Sequence, residues 1–280
     1  MIARDIAVIA RFEVMRHLRS RHAIVAGLIL IGFCGFGAYK LADFADQIDR
    51  VGRELGPVLG MITGMIESLT GLPAVAIGNL LDDHPPVLVA LFALIMMIMP
   101  ILSLTLAYDQ TATDIETRHV RYLLFRTNRW SIYLGKALGA LAIIAAAVGL
   151  VLAVFGVFLG LRSNSLQGLA GVVYLLRIWV TAVAYSVPFV ALLALMSALV
   201  GRPRRTLVLT VLYWFAIVTA SGLLGLVDES FEDLRYLFPT GGFNLLLDNP
   251  KGMIGTVLYL LAFTLVAGGL GAWRFRTRDL

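Results

Sequence analysis

The chain has 280 residues, 59% of them hydrophobic and only 15% charged, with a mean hydropathy of +0.87. A typical soluble domain carries about 25% charged residues, so this composition excludes an ordinary water-soluble globule. The net charge of +5 does not mark a nucleic-acid partner, because its distribution along the chain matters more than its sum, and the single cysteine excludes an internal disulfide.

Residues 1–21 read as an amphipathic helix on the cytoplasmic surface. Ile2, Ile6 and Ile9 share one face, while Arg4 and Arg11 point away from it. Such a helix either docks its apolar stripe among lipid headgroups, with its arginines on anionic lipid, or is a positive flank that sets topology. An uncharged run over 23–39 follows and is read as a retained first span rather than a cleaved leader. Cys34 falls inside it as a small apolar residue.

The segment 40–84 has two halves. Asp43, Asp46, Asp49, Arg50, Arg53 and Glu54 make a solvated stretch, and 55–81 is apolar but broken by Gly56, Pro57, Gly60, Gly64, Gly71 and Pro73. A seventh span here would invert everything downstream, so the expectation is an external amphipathic or re-entrant element. Further spans are predicted at 85–108, 132–161, 174–200, 206–227 and 253–273. Each approaches or exceeds the roughly 20 helical residues that cross a hydrocarbon core. Within lipid each peptide group must find its partner inside the helix, so these runs are helices. Pro100 and Pro188 fall inside two of them and favour kinks. The segment 228–252, with Asp228, Glu229, Glu232, Asp233, the turn Pro239-Thr240-Gly241-Gly242 and Asn249-Pro250, suggests two short helices folded back at the outer face. The predicted fold is an all-α membrane protein with six transmembrane helices, an amphipathic N-terminal helix and short external re-entrant or amphipathic helices, forming one domain over 1–280.

Lys and Arg concentrate in the N-terminal arm, the 109–136 connection, the 201–205 turn and the C-terminal tail, and they thin out in the alternate connections. Under the positive-inside rule this puts both termini in the cytoplasm. The absence of an organelle-targeting presequence points to a bacterial cytoplasmic (inner) membrane.

Sites of chemistry are scarce. His17, His22 and His119 fall on one side and His84 on the other, so they cannot share a metal. There is no HExxH, CxxC, GxSxG or GxxxxGK[ST]. The acids sit at span ends or in connections, which disfavours an intramembrane protease or a carboxylate-driven proton pump. The expectation is therefore no catalytic residue and no metal site. Met61 and Met65, and Met96, Met97 and Met99, cluster in ways that thioether ligation of Cu(I) could use, but gap-filling is the commoner role. Arg177 is the one basic residue inside a span, roughly 10 Å along the helix from Gly171 at the standard rise. It either snorkels to the headgroups or faces a central cavity and contacts an anionic substrate.

The most distinctive stretch is the connection 109–130, read as a charged cytoplasmic coupling helix. Its apolar patch of Val120, Leu123, Leu124 and Phe125 lies amid Arg118, Arg121, Arg126 and Arg129, with Asp109, Asp114 and Glu116 at its start. A short helix with an apolar patch and a charged rim suits docking into a groove on a soluble partner.

Here the chain resembles the integral-membrane permeases of type-2 ABC exporters, and within them it is most similar to the permease of nitrous oxide reductase maturation. Tyr108-Asp109, Asp114 and Glu116, Leu123-Leu124, Arg129 and Gly135-Lys136 fall in step with the family pattern, and Phe238-Pro239-Thr240 matches an Asn-Pro-Thr element. Arg177 has a counterpart early in the fourth span. Arg118-His119 stands where the pattern has Gly-Thr, and Thr127 where it has Pro. The resemblance implies a homodimer with an ABC-type ATPase under each copy, ATP and Mg bound by that partner, and no cofactor in this chain. Asp109, Asp114, Glu116, Arg118, Arg121, Leu123, Leu124 and Arg129 would couple ATPase closure to the spans. The expected function is the permease subunit of an exporter that moves a hydrophobic or lipid-like cargo or works mechanically on an extracytoplasmic protein. The alternative is a non-transporting membrane scaffold for a periplasmic or enzyme-maturation complex.

Overall fold

The computed structural model describes residues 2–19, 86–162, 169–225, 236–239 and 250–278, with isolated positions at 32, 35–37, 39–40, 60, 64 and 234. The helices are α1 (Ile2–Arg19), α2 (Pro86–Ala107), α3 (Ala112–Glu116), α4 (Val120–Leu124), α5 (Arg129–Arg162), α6 (Leu169–Val200), α7 (Pro203–Gly225) and α8 (Pro250–Thr277). Among the described residues five helices are long and apolar enough to cross a membrane, and there is no strand. Most of the expected first span at 23–39, most of the 40–84 segment and the stretch 240–249 lie outside the described residues. The expected spans at 85–108, 132–161, 174–200, 206–227 and 253–273 have their counterparts in α2, α5, α6, α7 and α8.

The spans run longer than hydropathy alone marks. α5 begins at Arg129 and has 34 residues, because Asn128 caps it: the Ser131 N–H donates to Asn128 Oδ1 at 2.7 Å. α6 ends where Gly201 takes φ +68 and its N–H closes on the Ser197 carbonyl at 2.9 Å, a turn that glycine adopts without penalty. Pro203 then opens α7 at a position that needs no N–H donor. Pro100 and Pro188 are both accommodated inside continuous helices.

α6 is the hub. It packs against α2, α5, α7 and α8, and 61% of its apolar window is buried, against 17–22% for α5, α7 and α8. The core around it holds Leu91, Met96 and Met99 of α2, Ile144 and Leu159 of α5, and Ile178 and Tyr185 of α6. Met96 and Met99 are thus packing residues, while Met97 faces outward. The outer faces of α5, α7 and α8 expose Leu150, Val157, Phe215, Leu265 and Val266, an apolar exterior that suits hydrocarbon.

Tyr236–Pro239 reach into the helix bundle rather than lying over it. Phe238 is buried with its ring against Phe189, Tyr213 and Trp214, stacked on Trp214 at 6.0 Å. The backbone that carries it is held by tyrosine hydroxyls. Tyr259 donates toward the carbonyls of Tyr236 and Phe238 at 2.7 and 3.0 Å, and Tyr213 donates to that of Leu237 at 2.9 Å. Pro100, Leu104, Leu192, Leu193, Thr210 and Val211 complete a small apolar crevice beneath the ring.

Candidate functional site at the charged end of the bundle

The expected single coupling helix over 109–130 is two short helices, α3 and α4, separated by a turn. The break falls at Arg118, whose φ of 59 is the left-handed conformation that side chains with a Cβ resist. The turn is made without a glycine, so the backbone bears the strain.

Asp109 works locally. Its Oδ1 accepts from the Thr113 N–H at 3.0 Å and from the Thr113 hydroxyl, which ties off the start of α3. Behind it, Gln110 donates to the Val190 carbonyl at 3.1 Å, and the Thr111 N–H donates to Ser197 Oγ at 3.0 Å. These bonds fasten the connection to the C-terminal half of α6.

Asp114 is buried and ion-paired with Lys136 of α5. Lys136 also meets Glu13 of α1 at 3.5 Å, and Arg16 meets the same Glu13 oxygen at 2.5 Å. Glu13, Asp114 and Lys136 are each at least nine-tenths buried. Charges removed from water to this degree persist only with partners. One ammonium therefore joins three elements: the N-terminal helix, the connection and a span. Two glycines let α1 come so close. A Cβ on Gly135 would sit 2.8 Å from Ile9 Cβ, and one on Gly139 would sit 2.8 Å from Glu13 Cβ. Of the expected apolar stripe, Ile9 consequently packs against α5, Ile6 is half-buried beside it, and Ile2 stays exposed.

A second network caps helix ends. Arg129 Nη1 donates to the carbonyls of Phe275, Arg276 and Arg278 at 3.3, 2.5 and 2.8 Å, supplying the free C-terminal acceptors of α8. Arg278 in turn donates to Ala198 and Leu199 at the end of α6, at 2.7 and 3.3 Å. Gly201 permits this approach, since a Cβ there would meet the Arg278 guanidinium at 2.6 Å. Burial, and secondarily the charge of Arg274, lowers the Arg278 pKa from its ordinary value.

The expected coupling residues therefore divide. Asp109, Asp114 and Arg129 are engaged within the chain. Leu123 and Leu124 are half-buried against a cluster of Val120, Ile132 and Phe275, so they hold the connection down more than they offer a docking patch. Glu116, Arg118 and Arg121 remain exposed, and with them His119, Tyr122, Phe125 and Arg126. The most exposed large apolar groups of the connection are Tyr122 and Phe125, at 72% and 84%. Arg177 is exposed on an outer face of α6 beside Val173, Leu176 and Val180, and so does not point into this chain's own core.

Sequence reasoning missed the Glu13–Lys136 contact and the capping by Arg278. A signal for the first existed: Glu13 follows Ile6 and Ile9 at helical spacing, an acid on the apolar face of an amphipathic helix. Among the described residues no group of His, Cys, Asp and Glu is placed to hold a metal ion.

No curated protein matches the chain. A family described as ABC-2 family transporter protein matches residues 7–280. That span takes in the helical bundle and its charged end alike, and it makes the chain a multi-pass membrane permease of a family that implies an ATPase partner. The chain belongs to the ABC-2 transporter family.

Proposed function

We propose that the chain is the permease of an exporter in a bacterial inner membrane, with both termini cytoplasmic, and that its ATPase docks on the exposed face of 116–126. The observation that carries this reading is the pair Tyr122 and Phe125, two large apolar side chains left open amid Arg118, Arg121 and Arg126. Buried aromatic anchors with a charged rim are the usual energetic centre of a protein–protein contact. Beneath them the connection is bonded rigidly to α5 and α6, so a push on this face is delivered to the spans rather than lost in a loose loop. Lys136 is the junction in that route, since it holds both the connection and α1.

ATP and Mg would be bound by the partner, and the chain would work as a pair of copies. The cargo reading is a hydrophobic or lipid-like molecule, or mechanical work on an extracytoplasmic protein, supported by the apolar exteriors of α5, α7 and α8. Arg177, a cation on an otherwise apolar outer face, would take an anionic group from cargo or headgroup. The similarity to permeases of nitrous oxide reductase maturation remains part of this proposal.

The test is co-purification of the ATPase with a Tyr122→Asp, Phe125→Asp variant from native membranes. Loss of the ATPase with normal insertion and monodisperse size is expected. Retention of the partner would remove 116–126 as the docking face. A chain that drives no ATP-dependent cargo movement, with a partner ATPase whose turnover ignores it, would favour the scaffold alternative.

A further inference from the structure

The charged end of the bundle sorts its charges by sign. Its acids turn inward, Asp114 and Glu13 onto Lys136 and Asp109 onto Thr113. Among the described acids of this end, Glu116 alone is exposed. Arginine stays outside, as Arg118, Arg121 and Arg126 of the connection and as Arg202, Arg204 and Arg205 where α6 turns into α7. The positive-inside rule accounts for cations on a cytoplasmic side, but lysine would serve it equally. The chain has lysine only as Lys40, Lys136 and Lys251, and Lys136 is buried, so the exposed cations of this end are guanidinium groups. Their planar fork fits a carboxylate with two parallel hydrogen bonds.

The two arginine groups belong to one surface. The α6–α7 turn is pressed against α3: a Cβ on Gly201 would lie 2.8 Å from Ile115 Cγ2, and α7 packs on α3. Thr111, just before α3, is bonded to Ser197 in the last turn of α6. Connection and turn therefore close the same end of α6, at or beyond its last apolar residue, Val200. A surface across the end of an apolar helix, unlike one along its flank, is presented to the aqueous phase. Tyr122 and Phe125 stand exposed on the same connection.

We propose that the α6–α7 turn is a second half of the docking face, and that the ATPase meets it with a rim of carboxylates. The proposal rests on the docking reading above and adds the chemistry of the partner. Tyr122 and Phe125 are the apolar anchor, Arg118, Arg121 and Arg126 are the rim beside it, and Arg202, Arg204 and Arg205 extend that rim past α3. Charges at the rim of an interface govern the rate of encounter more than the lifetime of the complex. The ATPase is drawn in by the arginines and retained by the aromatic pair.

The test uses the full chain in phosphatidylcholine nanodiscs and the ATPase that co-purifies with it, with association followed against KCl concentration. Arg202→Gln, Arg204→Gln, Arg205→Gln together should slow association roughly tenfold at low salt, at two- to threefold for each exposed pair. The gap should close at high salt, and the dissociation rate should change little. Arg202→Lys, Arg204→Lys, Arg205→Lys should keep fast, salt-sensitive association, which separates charge from misfolding. An unchanged association rate, or a defect that persists at high salt, overturns the proposal. So does a defect seen only in nanodiscs containing phosphatidylglycerol, which would assign these arginines to lipid. If Tyr122→Asp, Phe125→Asp loses the ATPase while the Gln variant associates normally, the docking reading stands and this extension fails. Retention of the ATPase by that double variant removes both.

Discussion

The bundle is held together in different ways at its charged end and around Phe238. At the charged end the bonds are directional and ionic: Lys136 between two buried carboxylates, and Arg129 and Arg278 on the carbonyls of two helix ends. Around Phe238 the contacts are aromatic faces, with tyrosine hydroxyls taking the backbone carbonyls of the inserted segment. Ionic geometry tolerates little displacement, because a buried charge that loses its partner is costly. Ring contacts tolerate sliding, since dispersion is spread over many weak pairs. The first region is therefore held by a few exact contacts, and the second mainly by the area of its ring contacts.

The largest test of this contrast is Lys136→Met. It leaves Asp114 and Glu13 buried without their ammonium, and removing one partner of a buried ion pair costs roughly 3–5 kcal/mol. Denaturant titration of the purified chain in mixed micelles should find a loss of that size. The triple change Glu13→Gln, Asp114→Asn, Lys136→Met should recover most of it, and an additive loss instead would mean that the three charges act independently.

Phe238→Ala comes next. Enclosed Phe→Ala changes cost roughly 3–5 kcal/mol, and an opening crevice lowers this to about 2–3 kcal/mol because lipid or neighbouring side chains fill it. The same titration reads it, and suppression of the loss by added hydrophobic ligand would identify the crevice as accessible. Gly271→Ala should cost about 1–3 kcal/mol by overpacking, since its Cβ would fall on the Tyr133 hydroxyl and 2.9 Å from Leu195 Cα. Backbone on one side leaves little room to yield. The smallest effect has the opposite sign. Arg118→Gly relieves a left-handed backbone and should stabilise the chain by about 0.5–1 kcal/mol, read as a rise in apparent Tm.

Much of the fold was legible because membrane helices announce themselves by length and hydropathy. The runs that became α2, α5, α6, α7 and α8 each satisfy that rule without help from neighbours. The connection was less legible. Its charges and apolar residues identified a special segment, but the helix period could not say that Arg118 would break it, or that Leu123 and Leu124 would be claimed by Phe275 and Ile132 from distant sequence. Asp114, expected among the coupling residues, shows the same limit: its partner lies on another element, and a lone carboxylate in a sequence carries no record of burial.

Composition and the spacing of charge by themselves determined a multi-pass helical membrane protein with one unusual basic connection, because the cost of unsatisfied backbone in hydrocarbon is local to each segment. Which residues of that connection face outward, and which are locked against α1, α5 and α8, was decided only when those helices packed together. Burial and ion pairing are properties of juxtaposed elements, and Gly135, Gly139 and Gly201 set that juxtaposition by what they leave out.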